Sequence, residues 1–188
     1  LTIFWGMVAL LIGTILATVD WDVTHLFFDF QFLVGGVYVV YELILDVLGL
    51  LLVIGLGMAI YRRYLVRPPR LQDPPGQSFA WDDAYALIIL TLIAISGYLV
   101  EGLRIAVTQP AWAPWSPVGN ALASAFTAMG DPTNLNLHLI IWVFHALVAF
   151  VFIASIPFTK LFHMVAGPMN IFFQSLQPAG VLAPAHAS

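Results

Sequence analysis

Four stretches of this sequence carry almost no charge over the length needed to cross a lipid bilayer. A membrane helix needs about 20 mostly apolar residues, and residues 1–19, 33–61, 84–107 and 137–157 each meet that need. The first and the last contain no Asp, Glu, Lys or Arg. Across the 188 residues, 61% are hydrophobic and 9% charged, whereas a soluble domain carries about 25% charged residues. A water-soluble globule of this composition would lack the polar groups to cover its surface, and disorder would need the opposite balance. A net charge of −4 supplies no basic face for nucleic acid. Barrel strands would alternate apolar and polar residues, and these stretches do not. The expected fold is all-α: a bundle of four transmembrane helices in the lipid bilayer.

The basic residues orient the bundle. Arg62, Arg63, Arg67 and Arg70 lie between spans two and three, and Lys160 follows span four. These are five of the six Lys and Arg residues, so that side is expected to be cytoplasmic, together with the C-terminus. The opposite loops carry Asp20, Asp22, Asp29 and Asp131. The long one, 108–136, contains Trp112, Pro114, Trp115 and Pro117, which suit an irregular segment at the interfacial aromatic belt. The first span lacks the positive flank of a signal peptide and opens without Met. It is read as a retained span, with a further segment expected upstream of Leu1. Residues 1–173 form the membrane domain, and 174–188, with two Pro, four Ala and no charge, read as a tail or linker.

Histidines inside a membrane are costly unless paired, hydrogen-bonded or ligating. His145 and His163 are 18 residues apart, which on one continuous helix is five turns, about 27 Å of rise, on a common face. His138, seven residues before His145, shares roughly that face. Neutral imidazole ligates haem iron through one ring nitrogen. Two such residues at opposite depths would set two haems in a row across the bilayer. The competing reading has them hydrogen-bonding between helices. With zero cysteines, the chain offers no thiolates for an iron–sulfur cluster, so any cluster would sit on a partner.

Charged residues within spans form a second set. Glu42 and Asp46 are four apart on span two, and Glu101 and Arg104 three apart on span three. Charges are expected to face inward rather than lipid. Arg104 could snorkel, bind a haem propionate or meet a quinone, while Glu101 and Glu42 lie at comparable depth, where a quinol needs a proton acceptor. The alternative is a structural Glu–Arg bridge. No dinucleotide, P-loop or triad motif occurs.

The run His145 to His163, with Pro157-Phe-Thr-Lys160 between, resembles the last helix of the respiratory nitrate reductase gamma subunit family. Phe158 to Phe173 is similar to the C-terminal signature of the membrane cytochrome b module of heterodisulfide-reductase-like proteins. Phe4-Trp-Gly, Gly13-Thr, Asp46-Val-Leu-Gly, Arg62-Arg-Tyr and Glu101-Gly-Leu-Arg-Ile-Ala106 agree with it, so the resemblance covers nearly the whole chain. It implies haem b ligated by His145 and His163, in a bacterial or archaeal cytoplasmic membrane. It also implies a cytoplasmic iron–sulfur partner, a heterodisulfide reductase-like subunit or domain, facing Lys160 and the basic loop. The family takes its other axial histidines from a helix corresponding to span one, which here has none. One such His would fall upstream of Leu1. His25 or His138 are the candidates for the outer haem, and a single haem is the alternative to two.

The resulting expectation is a cytochrome b-type membrane subunit passing electrons between menaquinone or ubiquinone and an iron–sulfur oxidoreductase partner. Two other classes stand beside it. One is a haem-free anchor subunit; the other is a small proton or solute transporter, a class that usually has repeats and broken helices, neither of which is evident in the sequence.

Overall fold

The computed structural model describes residues 2–68 and 80–174. Leu1, Arg70 and tail residues 175–188 lie outside the described residues, as does the side chain of Asp131. Four helical segments are long and apolar enough to cross a membrane: Thr2–Phe28, Gly35–Val66, Trp81–Thr108 and Leu135–Phe158. No strand occurs among the described residues.

The first segment runs further than its apolar stretch. Helix α1 (Thr2–Thr18) continues through a wider π-wound stretch, Val19–His25, into the single turn α2 (Leu26–Phe28). Nothing in 19–28 breaks a helix, and the chain turns only at Asp29, in the left-handed region at φ 50°. His25 therefore lies on the end of the first helix, not in a loop. Asp20 is buried and turns back to accept the backbone N–H groups of Phe32 and Leu33 at 2.6 and 3.0 Å. This closes the connection to α3 (Gly35–Ile60), which is extended by Tyr61–Val66.

Helix α4 (Ala80–Thr108) stops at Gln109 and Pro110. The expected irregular loop is largely ordered as a helix, α5 (Pro117–Phe126), flanked by the short turns Ala113–Trp115 and Thr127–Met129. Pro117 suits the first helical position, where the missing N–H would be unsatisfied anyway. Helix α6 (Asp131–Ser155) does not run on to His163 as the five-turn count assumed. Pro157 lies in a tight turn, Ile156–Phe158, and Thr159 is extended (φ −125°, ψ 170°). A second turn, Lys160–Phe162, then leads into α7 (His163–Phe172). Proline lacks the N–H that would continue the ladder. The break swings Leu161 into the core, where it is buried beside Leu52, Leu56, Ile89 and Leu90.

The helices pair α1 with α3 and α4 with α6, while α3 and α4 join the two pairs and α5 lies against α4 and α3. In lipid there is little hydrophobic drive between helices, so close backbone approach and polar contacts hold them. A Cβ on Gly6 would lie 2.8 Å from Leu52 Cβ and 3.0 Å from the Leu48 carbonyl oxygen. One on Gly102 would lie 2.7 Å from Leu122 Cβ, which fixes α5 against α4. Large apolar side chains such as Leu147 and Phe150 point outward, as lipid-facing residues do. At the basic end, Asp83 of α4 pairs with Arg63 at 2.7 Å and with Lys160, tying together the ends of three segments.

Candidate functional site

Toward the α5 end, α3 and α4 turn three charged side chains inward. Arg104 Nη2 lies 3.0 Å from Glu42 Oε1 and 2.7 Å from Glu101 Oε2, and Nε donates to Glu101 Oε2 at 3.0 Å. Its Nη1 donates to the Tyr38 hydroxyl at 3.0 Å. The guanidinium also sits 4.8 Å from the centre of the Trp112 ring, a cation–π contact. Two carboxylates on one guanidinium form a cluster with a formal charge of −1 when all are ionised, so the site has room to hold a proton. The expected inward placement of Glu42, Glu101 and Arg104 is what the structure shows, and so is the Glu–Arg bridge.

One turn along α3 from Glu42, the Asp46 carboxylate is 94% buried and accepts three hydrogen bonds from the start of α5. They come from Ser116 Oγ (3.0 Å), Val118 N (2.9 Å) and Gly119 N (3.0 Å). Asp46 thus caps a helix some 70 residues later in the chain. Negative charge at a helix N-terminus is favourable, and these N–H groups have no partner within their own helix. The Tyr98 hydroxyl donates to the Asp46 backbone carbonyl, joining α4 to the same point.

His145 projects from α6 toward α4. Its Nδ1 lies 2.8 Å from Ser96 Oγ, and its ring packs on Gly97, where a Cβ would come within 3.4 Å of Cε1. The Ser96 hydroxyl has one proton, with the Leu92 carbonyl at 2.5 Å and His145 Nδ1 at 2.8 Å in reach. When the Leu92 carbonyl takes it, Ser96 accepts from His145, Nδ1 carries the hydrogen and Nε2 keeps its lone pair. The same logic holds at His163, whose Nδ1 donates to the Lys160 carbonyl, an acceptor only. Both rings present Nε2 as the nitrogen that can ligate a metal or accept a proton.

A cavity of about 230 Å³ links His145 to the acidic residues. Leu10 and Thr14 of α1, Gly49 of α3 and Gly97 of α4 contribute walls, with Glu42, Asp46 and Glu101 at one end. On that side α1 and α6 make little direct contact with each other. Of the predicted site residues, the structure brings together His145, Glu42 and Glu101 at the cavity, with Arg104 bound to both carboxylates. It does not bring His163, His138 or His25 to that cavity. His163 is exposed beyond the break in the fourth segment. His138 is half-buried two turns before His145, within electrostatic reach of Arg104. His25 stacks on Trp21, ring centres 4.7 Å apart. Among the described residues no group of three or more His, Asp or Glu gathers as a metal site would.

Sequence reasoning missed Ser96, Tyr38 and Ser116. Ser116-Pro117 is a helix-start signal that was open to recognition. Ser96 and Tyr38 carry no local signal, because each acquires its role from a partner on another segment.

These features define an integral membrane helical bundle that encloses a largely apolar cavity with acidic residues at one end and His145 in its wall. Residues 2–179 match the family described as the nitrate reductase gamma subunit, and the chain belongs to that family. It is 33% identical over 186 residues to the EtfAB:quinone oxidoreductase of Syntrophomonas wolfei subsp. wolfei (strain DSM 2245B / Goettingen), an alignment covering 94% of this chain and 25% of that protein. It is 26% identical over 149 residues to the probable iron-sulfur-binding oxidoreductase FadF of Bacillus subtilis (strain 168), covering 79% of this chain and 20% of the relative. The chain thus spans about a quarter or less of the length of these curated relatives. No solved structure matches.

Proposed function

We propose that the chain is the membrane cytochrome b part of a quinone-linked oxidoreductase, exchanging electrons between a menaquinone or ubiquinone pool and an iron–sulfur partner at the basic, cytoplasmic end. The observation that carries this reading is His145. Its ring lines an intramembrane cavity, is held by Ser96 through Nδ1, and keeps the Nε2 lone pair for a ligand. A ligating histidine ordinarily donates its other N–H to a fixed acceptor, and Ser96 supplies one. The relatives' names, a quinone oxidoreductase and an iron-sulfur-binding oxidoreductase, agree with it.

The residues fit a b-type haem through one axial imidazole. His145 would hold it, and the apolar and glycine walls from Leu10, Gly49 and Gly97 would flank it. His163, with the same tautomer near the basic end, would hold a second. A bound haem supplies one-electron storage. At about 230 Å³ the cavity is smaller than the roughly 300–1,000 Å³ of a typical ligand cleft, so a haem there requires α1 and α6, which make little contact with each other among the described residues, to move apart. Glu101 and Glu42 would take quinol protons, while Arg104 fixes both carboxylates and keeps their negative charge tolerable inside the bilayer. His25 and His138 remain the candidates for an outer axial ligand.

The test is a dithionite-reduced minus oxidised spectrum with haem quantitation on the purified complex, repeated for His145→Ala and His163→Ala. One b haem lost in each variant is the expected result. A wild-type complex in which this chain binds no haem would sink the reading and leave a haem-free anchor.

A further inference from the structure

Two hollows approach each other near the α5 end without merging. The inner cavity is lined by Glu42 and Glu101. A more open depression of about 440 Å³ is lined by Leu33, Val34, Tyr38, Ala111, Trp112 and Trp115, among others. Glu42 lines the first and Tyr38 the second. The two residues are four apart on α3, so they share a helix face. Arg104 hydrogen-bonds to both, bridging the two hollows.

We propose that the Tyr38 hydroxyl relays protons between Glu42 in the inner cavity and water in the depression beside Trp112 and Trp115. The other described residues lining that depression are Leu, Val, Gly, Ala and Trp. Indole only donates and the aliphatic side chains do neither, so among these side chains Tyr38 alone can both accept and release a proton. Arg104 cannot serve, because guanidinium has no acceptor and does not deprotonate in proteins. A phenol hydroxyl has one proton and two lone pairs. Arg104 Nη1 uses one lone pair, which leaves one lone pair and the proton, enough for one partner on each side. Arg104 of α4 meets the hydroxyl and also binds Glu42 and Glu101, while the Tyr38 ring packs on Trp112 of the following loop and on the Tyr41 ring of α3.

The step balances without any redox change. Protonated Glu42 passes its proton to the Tyr38 oxygen as the hydroxyl's own proton passes to water, and rotation of the hydroxyl resets the path. An ordinary phenol pKa near 10 makes a free phenolate unfavourable, so the two transfers occur together. The proposal rests on the quinol reading only for the origin of the proton, and the path can be tested without turnover.

The test is a stopped-flow pH jump on the purified full complex, following the protonated-carboxyl infrared band assigned by its loss in Glu42→Gln. The wild-type band is expected to follow the jump, and Tyr38→Phe to slow its response at least about tenfold, in line with the loss of a positioned proton carrier. Tyr41→Phe, whose hydroxyl donates to the Gly13 carbonyl instead, keeps the wild-type rate. Should Tyr38→Phe fail to fold, Val34→Trp, which fills the depression from its exposed rim, is expected to slow the band similarly. A wild-type rate in the folded Tyr38→Phe or in Val34→Trp, or a wild-type band that ignores pH, overturns the relay. Failure of the wild-type complex either to oxidise duroquinol or to reduce duroquinone, with the band still responding, would instead overturn the quinone reading.

Discussion

The Asp46 carboxylate on α3 accepts the backbone N–H of Gly119 on α5 at 3.0 Å, across 73 residues of chain. With its bonds to Ser116 and Val118, this contact holds α5 against the end of the cavity that contains Glu42 and Glu101. A hydrogen bond to a charged group contributes about 1.5–3 kcal/mol, and these three share one carboxylate, so they do not add fully. Asp46→Ala is expected to destabilise the protein by about 3–5 kcal/mol, since it strands a buried hydroxyl and two helix N–H groups. Asp46→Asn keeps one acceptor oxygen and should lose about half of that. Thermal unfolding in detergent measures the loss, and limited proteolysis should find the 117–126 segment newly cleavable in Asp46→Ala. A wild-type melting curve and an uncut segment would show that α5 is held by its apolar face alone.

Arg104 leads to a different expectation, because one guanidinium is bound to two carboxylates at once. Removing one partner of a buried ion cluster costs about 3–5 kcal/mol through the charge left behind, while replacing the whole cluster by neutral groups is often tolerated. Arg104→Met alone should therefore accumulate poorly in the membrane. The triple variant Glu42→Gln/Glu101→Gln/Arg104→Met should regain expression and thermal stability yet lack quinol-linked activity. If the single variant were as stable as the triple, the three charges would not be acting as one unit.

What was legible in the sequence follows from what needs no partner. The four spans rest on apolar runs, and the inward Glu42, Glu101 and Arg104 rest on the cost of charge in lipid, so both read correctly. Helix α5 was hidden because the carboxylate that caps it sits on α3. The first helix outlasted its apolar stretch because Asp20, Asp22 and His25 are polar without being helix-breaking. The five-turn spacing of His145 and His163 failed as geometry at Pro157, although each ring is held through Nδ1. Counting turns through a proline assumes a hydrogen-bond ladder that the proline cannot complete.

Gly6 and Gly57 separate packing from flexibility. A Cβ on Gly6 meets the Leu52 Cβ and the Leu48 carbonyl oxygen, neither of which is the end of a flexible side chain, whereas one on Gly57 meets nothing within 4 Å. Gly6→Ala should push α1 off α3 and cost about 1–3 kcal/mol. Gly57→Ala should be neutral or stabilise by up to about 1 kcal/mol, because alanine loses less entropy in a helix. Melting temperatures of the two variants, purified side by side, decide the matter. Equal values would mean that α1 is free to shift along α3.

Ser96 tests the histidine reading without touching a ligand. Its hydroxyl lies within hydrogen-bond reach of both His145 Nδ1 and the Leu92 carbonyl, and a Ser96 that donates to Leu92 fixes the tautomer that leaves Nε2 free. Ser96→Ala leaves the helix backbone intact but strands His145 Nδ1, so stability should fall by about 1–3 kcal/mol. If His145 ligates haem, the variant loses the group that orients the ring, and haem affinity should fall about 10–100-fold, the range found for such supporting residues. Haem titration of the apo-complex reads that change, and Ser96→Thr, which keeps a hydroxyl at the same place, should restore it. Unaltered haem affinity in Ser96→Ala, alongside haem loss in His145→Ala, would mean that packing on Gly97 alone sets the ring's orientation.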